Sequence, residues 1–239
     1  MVQYQSSGGD VDGYCRFLVD VLDRYGDALA SVQVGEEPNV TGNPVLDGAY
    51  PSVREAVAAG VIAAKANAAR VGLDRLEVGI NTTPLFGPAE DFLSRLTAVG
   101  GPELVEALDY VGLDFFPDVF RPVSRDRLAT IVAALLAQHR QHRMVPAGLG
   151  RLPLRITEHG WPTGPGRPPE RQAEVLAIVV GVLLDRAEDL QLDGYSHFCL
   201  RDADSSQPGL FHRFGLMTDD YQPKPAFGTY HQLIAGHAS

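Results

Sequence analysis

Short apolar segments alternate with longer amphipathic segments along this chain, and this alternation constrains the fold more than any other feature of the sequence. The pattern is typical of parallel strands joined by helices that cover the sheet, so it predicts an α/β fold. The predicted strands are Val32–Val34, Leu76–Ile80, Tyr110–Phe115, Leu154–Thr157 and Gly194–Leu200. The predicted helices are Asp10–Tyr25, Pro51–Val71, Ala89–Val99, a stretch from Pro102, Ser124–His142, Pro169–Glu188 and Pro225–Ile234.

Length, composition and charge limit the classes of function. The chain has 239 residues, of which 45% are hydrophobic, so we expect a single domain over residues 1–239. A net charge of -10 argues against nucleic acid as a partner. No apolar run reaches the roughly 18 residues of a membrane span, so no membrane partner is expected. The first residues lack the features of a signal peptide, which predicts a cytoplasmic protein as written; secretion stays open if the natural N terminus lies upstream.

The sequence contains no recognisable metal or cofactor motif. Cys15 and Cys199 have no metal-ligand spacing and are interpreted as buried thiols. No His-x-His cluster or convincing phosphate-binding glycine loop is present, which disfavours metal-dependent and phosphate-dependent barrel enzymes. We therefore expect no cofactor and no metal.

Two glutamates occupy equivalent places in the pattern. Glu37 and Glu158 each follow a short β-branched run and precede turn-forming residues. In an α/β barrel the side chains at the strand C-termini converge on one mouth, and catalytic groups lie there. Two convergent carboxylates suit glycoside hydrolysis, in which one donates a proton and the other acts as nucleophile or base.

The segments around both glutamates resemble a known superfamily. Val-Gln-Val-Gly-Glu-Glu-Pro-Asn (32–39) is similar to the fourth strand of the retaining (β/α)8 glycoside hydrolases of clan A, and Ile-Thr-Glu-His-Gly-Trp-Pro-Thr (156–163) to their seventh strand. Residues 109–117 resemble the sixth strand, and residues 194–201 with 215–225 resemble the eighth strand and the end of the chain. The resemblance implies a partial (β/α)8 TIM barrel: five strand–helix units corresponding to strands 4–8, with the first three strands missing.

The resemblance also implies roles for individual residues. Glu37 corresponds to the acid/base and Glu158 to the nucleophile of a double displacement that retains configuration. Further candidate substrate-binding residues are Glu36, Asn81, His159, Trp161 and Arg201. For each of the last four an ordinary structural role stays open: turn chemistry for Asn81, a solvated position for His159, core filling for Trp161 and a surface ion cluster for Arg201.

Several positions depart from the pattern of the superfamily. Glu36 stands where the superfamily has an asparagine, and a charged carboxylate accepts hydrogen bonds only. Phe115 and Phe116 stand where a tyrosine is frequent, and Phe198 is the aromatic residue nearest to the usual eighth-strand tryptophan.

The sequence leaves two alternative functions open. The first is a retaining glycoside hydrolase, or a fragment of one, that acts on a carbohydrate with a β-linked O-glycosidic bond. The second is a non-catalytic carbohydrate-binding or structural barrel fragment. If three strands are missing, the open sheet edges at Val32–Val34 and Tyr195–Leu200 predict self-association unless another segment caps them.

Overall fold

The computed structural model describes residues 1–85 and 91–237. Five strands form one sheet in the order of the chain, β1-β2-β3-β4-β5. They are β1 (Ser31–Gln33), β2 (Glu77–Thr82), β3 (Tyr110–Asp114), β4 (Leu154–His159) and β5 (Leu192–His197). Strands β1 and β2 pair in parallel, as do β2 and β3. The predicted α/β class and all five predicted strands are therefore confirmed.

Helices separate the strands as the alternation predicts. They are α1 (Val11–Tyr25), α2 (Val53–Val71), α3 (Phe92–Ala107), α4 (Arg125–His139), α5 (Pro169–Asp185), α6 (Ala187–Leu190) and α7 (Pro225–His237). Asp10 caps α1 by accepting a hydrogen bond from the Gly13 N–H, and Gly72, in the left-handed conformation, caps the C-terminal end of α2. Within the described residues, no helix is long and apolar enough to cross a membrane.

Several helix boundaries differ from the predicted ones for local backbone reasons. Helix α2 begins at Val53 because Ser52 has a left-handed φ of 57°. After His139 the α-helix changes to a π-helical turn, Arg140–Met144. A non-helical residue, Arg186, separates α5 from α6. The predicted break before Pro102 is confirmed, since Gly101 has φ 62° and ψ -162° within α3, while the predicted start at Ala89 lies outside the described residues.

Strand β5 begins two residues earlier than predicted, at Leu192, and ends earlier because the chain leaves the sheet after His197. The Phe198 N–H still donates to the carbonyl of His159, but Cys199 and Leu200 pair with another segment. The Cys199 carbonyl accepts from the Leu216 N–H, and the Leu200 carbonyl accepts from the Met217 N–H.

The chain divides into two compact units, and each is described by itself. Unit 1 comprises Met1–Asp114 and Gln138–Arg155, and unit 2 comprises Phe115–Ala137 and the chain from Ile156 onwards.

The core of unit 1 lies along its first three strands. Residues Val32, Val78, Ile80, Val111 and Leu113 are at most 2% exposed. Every residue of β3 is buried, as expected for a parallel strand with both faces covered. Strand β1 also has a neighbour on its other side: Val2 pairs in parallel with Val34, and the Val2 N–H donates to the carbonyl of Gln33 at 2.8 Å.

The core of unit 2 joins α5 to α7. Leu176, Val180, Leu216 and Ala226 form a buried cluster on which partly buried side chains pack, among them Tyr195 and Tyr230. The same unit contains a buried ion pair, in which Lys224 Nζ lies 2.7 Å from Asp202 Oδ1.

Candidate active site

The end of β1 places two carboxylates in a tight turn of unit 1. Gly35 and Glu37 both have positive φ, 86° and 41°, and for Glu37 this is an unusual backbone conformation for a residue with a side chain. The buried carboxylate of Asp47 holds the turn, because its Oδ2 accepts from the N–H of Glu36 and from the N–H of Tyr4, each at 2.8 Å. Asp47 was not predicted as a site residue. It follows a loop rather than a strand, so no strand-end pattern marks it.

Asn81 connects the two glutamates of the turn to the end of β3. Its Oδ1 accepts from the Glu37 N–H at 2.9 Å, and its Nδ2 donates to Glu36 Oε2 at 3.0 Å. The same Nδ2 donates to Asp114 Oδ2. Both amide hydrogens are thus used within the protein, and the side chain is fully buried. The arrangement explains how the Glu37 backbone is held in place.

The environment of Glu37 favours its neutral acid form. Burial and the nearby negative charge of Glu36 raise its pKa to about 7, and a hydrogen bond with Thr83 acts in the opposite direction. A carboxylic acid with a pKa near 7 is suited to donate a proton at neutral pH.

Glu36 is more buried than Glu37 and has its own hydrogen-bond partners. It is 7% exposed, and its Oε2 accepts from Asn81 and, at 2.8 Å, from Gln33 Nε2. Burial raises its pKa, while hydrogen bonds with Asn81, Gln33 and Asp114 oppose the shift. Asp114 is fully buried and was not predicted as a site residue. Its place as the last residue of β3 is the same strand-end signal that marks the two glutamates, so the sequence could have indicated it.

In unit 2, Glu158 lies near the C-terminal end of β4 and is half-buried. Its carbonyl accepts from the Phe115 N–H at 2.7 Å, so the backbone around it is held by the chain that follows β3. Gly160 follows two residues later where no side chain fits, since a Cβ there would lie 1.9 Å from the carbonyl oxygen of Phe198. The strand-end position predicted for Glu158 is therefore observed.

His159, the next residue of β4, is fully buried rather than solvated. Its Nδ1 lies 2.7 Å from the hydroxyl of Tyr195, which lies 3.1 Å from Nδ1 of His197. The ring of His197 in turn lies 5.6 Å from that of Tyr230. Successive strand residues point to opposite faces, so His159 faces this α7-covered cluster while Glu158 points the other way.

Trp161 is 5% exposed, and its indole N–H is already used. The Nε1 donates to the carbonyl of Asp118 at 3.1 Å, and the guanidinium of Arg167 lies 5.0 Å from the ring centroid. The residue borders a groove of about 720 Å³ together with Asp118, Arg171 and Glu174. These contacts match the core-filling alternative more closely than an open sugar platform.

Arg201 is exposed on the segment after β5. Its Nη1 donates to the carbonyl of Asp219 at 2.9 Å, and its guanidinium lies 5.2 Å from the centroid of the Tyr221 ring. The structure thus brings Glu36, Glu37 and Asn81 together in unit 1 and ties Arg201 to a surface turn of unit 2.

Comparisons with known proteins identify the fold. No family profile matches the sequence, and no curated protein matches it. Among solved structures, a β-D-glucuronidase of Dictyoglomus thermophilum matches 95% of this chain and 36% of its own, with 15% identity and a TM-score of 0.65.

Two further structures give similar values. A family 39 glycoside hydrolase of Bacteroides cellulosilyticus WH2 matches 97% of this chain and 45% of its own, with 16% identity and a TM-score of 0.65. A β-1,3-glucanosyltransferase of Rhizomucor miehei matches 90% of this chain and 70% of its own, with 19% identity and a TM-score of 0.60.

The chain spans only about a third of the length of such relatives: 36% of the Dictyoglomus thermophilum β-D-glucuronidase and 35% of a β-glucuronidase of Faecalibacterium prausnitzii. At these identities the likeness concerns the fold. The five parallel strands with their helices therefore form part of the (β/α)8-barrel fold found in these glycoside hydrolases, as the sequence predicted.

Proposed function

We propose that this protein is a retaining glycosidase in which Glu37 is the acid/base and Glu158 the nucleophile. One observation carries the proposal: the buried turn after β1 raises the pKa of Glu37 to about 7, so that a carboxylic acid is available near neutral pH. Such a group is what protonation of a leaving oxygen requires. The shared fold supports the same class of reaction.

The proposed reaction takes two steps. In the first, the Glu158 carboxylate attacks the anomeric carbon, the glycosidic C–O bond breaks, and Glu37 gives its proton to the leaving oxygen. In the second, the Glu37 carboxylate removes a proton from water, and the resulting hydroxide displaces Glu158 from the sugar. Both steps invert the anomeric centre, so the product retains the configuration of the substrate.

The proposed substrate class is a β-linked glycoside. The names of the matched proteins support this, because they include β-glucuronidases, a β-1,3-glucanosyltransferase and an endo-1,4-β-xylanase. Their activities differ, so the particular sugar is left open.

A second candidate function is carbohydrate binding without turnover. The observation that favours it is Glu36, a buried residue whose Oε2 already accepts two hydrogen bonds from the protein. A charged carboxylate at this position offers no donor to a sugar hydroxyl.

Hydrolysis followed by NMR separates the two functions. We expect the protein to cleave at least one member of a panel of 4-nitrophenyl β-glycosides, with the β-anomer of the sugar appearing first. Glu158→Gln and Glu37→Gln should each lower kcat by at least about a hundredfold. The matched control is Glu188→Gln, at an exposed residue of α6, which should keep full activity. Binding of a sugar by the wild type without cleavage of any glycoside would favour the second candidate.

A further inference from the structure

Asn39 fixes the start of the segment that follows β2 through two hydrogen bonds to a single residue. Its Nδ2 donates to the Thr83 carbonyl at 2.8 Å, and its Oδ1 accepts from the Thr83 N–H at 3.1 Å. Asn39 is buried and stands two residues after Glu37 in the chain that follows β1. The backbone of Thr83, which directly follows β2, is therefore held beside the turn that carries Glu37.

The hydroxyl of Thr83 has two hydrogen-bond partners in unit 1. Its Oγ1 donates to the carbonyl of Asp114 at 3.2 Å, and it also forms a hydrogen bond with the side chain of Glu37. A threonine hydroxyl has one proton to donate, so it cannot donate to both partners at once. An ionised carboxylate accepts a stronger hydrogen bond than a neutral acid or a carbonyl. The preferred acceptor of Thr83 thus depends on the charge of Glu37.

The other groups around Glu37 do not replace this hydrogen bond. Glu36 is a neighbouring acid, and its negative charge raises the pKa of Glu37. Asp47 and Asp114 are also acidic, and each accepts a hydrogen bond from an amide N–H of the protein. The hydrogen bond with Thr83 acts in the opposite direction, because it stabilises the charged form of Glu37 and lowers its pKa.

We propose that Thr83 is a positioning residue for the acid/base, whose hydroxyl donates to the Asp114 carbonyl while Glu37 is protonated and to the Glu37 carboxylate once that proton has left. This inference rests on the proposed function and deepens it. In the first step the Glu37 proton passes to the leaving oxygen as the glycosidic C–O bond breaks, and the Thr83 hydroxyl turns to the new carboxylate. In the second step Glu37 takes a proton from water, and the hydroxyl turns back to the Asp114 carbonyl. Thr83 itself keeps its proton throughout.

The test measures the pKa of Glu37 by carbon-13 NMR of protein labelled at the glutamate carboxyl carbons, with Glu37→Gln identifying the signal. In Thr83→Val a methyl group replaces the hydroxyl, while the two backbone hydrogen bonds to Asn39 stay available. The pKa of Glu37 should rise by roughly 0.5–1, because its carboxylate has lost a donor. The alkaline limb of the kcat/KM profile should move to higher pH by the same amount.

Three further variants make the result specific to the hydroxyl. Thr83→Ala also lacks the hydroxyl and should give the same rise, which provides a second variant if valine disturbs the fold. Thr83→Ser keeps the hydroxyl and should keep the wild-type pKa of Glu37. Thr130→Val, at an exposed threonine of α4, is the matched control and should leave both the pKa and the limb in place.

The outcomes separate this inference from the proposed function. A pKa of Glu37 that stays unchanged or falls in both Thr83→Val and Thr83→Ala would overturn the inference, even in a protein that hydrolyses glycosides. A rise of the pKa in a wild-type background that cleaves no glycoside would instead refute the proposed function and leave the hydrogen bond between Thr83 and the Glu37 carboxylate standing.

Discussion

At the scale of single residues, burial and then the charge of Glu36 raise the pKa of Glu37. The two are adjacent in a buried turn, and the negative charge of Glu36 raises the pKa of Glu37 in addition to the effect of burial. Activity that needs protonated Glu37 should therefore fall as pH rises through about 7.

Removing the charge of Glu36 should shift the pH above which activity falls. In Glu36→Gln the repulsion is gone, so the alkaline limb of the kcat/KM profile should move to lower pH. Glu55→Gln, at an exposed glutamate of α2, serves as the control and should leave the limb in place. An unchanged limb in Glu36→Gln would show that another group controls it.

The hydrogen bonds of Asn81 predict that this residue positions Glu36, Glu37 and Asp114. In Asn81→Asp both amide donors are lost and a third carboxylate enters between Glu36 and Asp114. We expect the free energy of unfolding to fall by roughly 2–4 kcal/mol at pH 8, and by less at pH 4, where the carboxyl groups accept protons.

Urea denaturation at the two pH values measures this effect, with the exposed Asn43→Asp as control. A wild-type stability in Asn81→Asp at pH 8 would mean that the hydrogen bonds to Glu36, Glu37 and Asp114 contribute little. If Asn81 instead contacts substrate, its Ala variant should raise KM while kcat stays unchanged.

At the scale of elements, β4, β5 and α7 enclose a neutral histidine. Burial, and then the nearby His197, lower the pKa of His159 well below its ordinary value. A depressed pKa in the folded state means that the unfolded chain binds the proton first. The stabilisation is therefore complete above the unfolded pKa of roughly 6.5 and is lost as pH falls below it.

The free energy of unfolding should therefore decrease as pH falls below the unfolded pKa, because the unfolded chain binds a proton at His159 that the folded chain does not bind. His159→Gln should remove this contribution to the pH dependence of the unfolding free energy, whereas His231→Gln, at an exposed histidine of α7, should not. NMR of the wild type provides an independent check. An imidazole of His159 that is protonated at pH 6 in the folded protein would contradict the account.

The elements also show what a sequence pattern can and cannot predict. The strands were predictable because short apolar runs bounded by turn residues alternate with amphipathic stretches, and the strand-end positions of Glu37 and Glu158 follow from the β-branched runs before them. The hydrogen bonds of Asn81 and the role of Asp47 were not predictable from local pattern, because Asn81 bonds to residues 33 to 45 positions away and Asp47 to residues 11 and 43 positions away. The burial of His159 depends likewise on Tyr195 and α7, which lie far along the chain.

At the scale of the whole molecule, the prediction of self-association concerns the two edges of the sheet. Strands β1 and β5 lie at the two edges of the sheet, and Val2 already pairs with Val34, the residue that follows β1. The predicted self-association through β1 should therefore be suppressed while Val2 stays in place.

Val2→Pro tests this protection, because proline lacks the N–H that donates to the Gln33 carbonyl. We expect sedimentation velocity to show a concentration-dependent increase in association compared with wild type. Val2→Ala keeps the N–H and should behave as wild type. A Val2→Pro protein that is monomeric at every concentration would refute a role for the β1 edge.

The proposed double displacement requires a covalent glycosyl-enzyme on Glu158. The most direct measurement is the intact and peptide mass of the protein after incubation with 2-deoxy-2-fluoro-β-glycosides of several sugars. We expect an added glycosyl mass on the peptide that contains Glu158, and no added mass in Glu158→Gln. No adduct from any fluoro-glycoside, in a protein that binds the corresponding sugars, would contradict the claim and favour carbohydrate binding without catalysis.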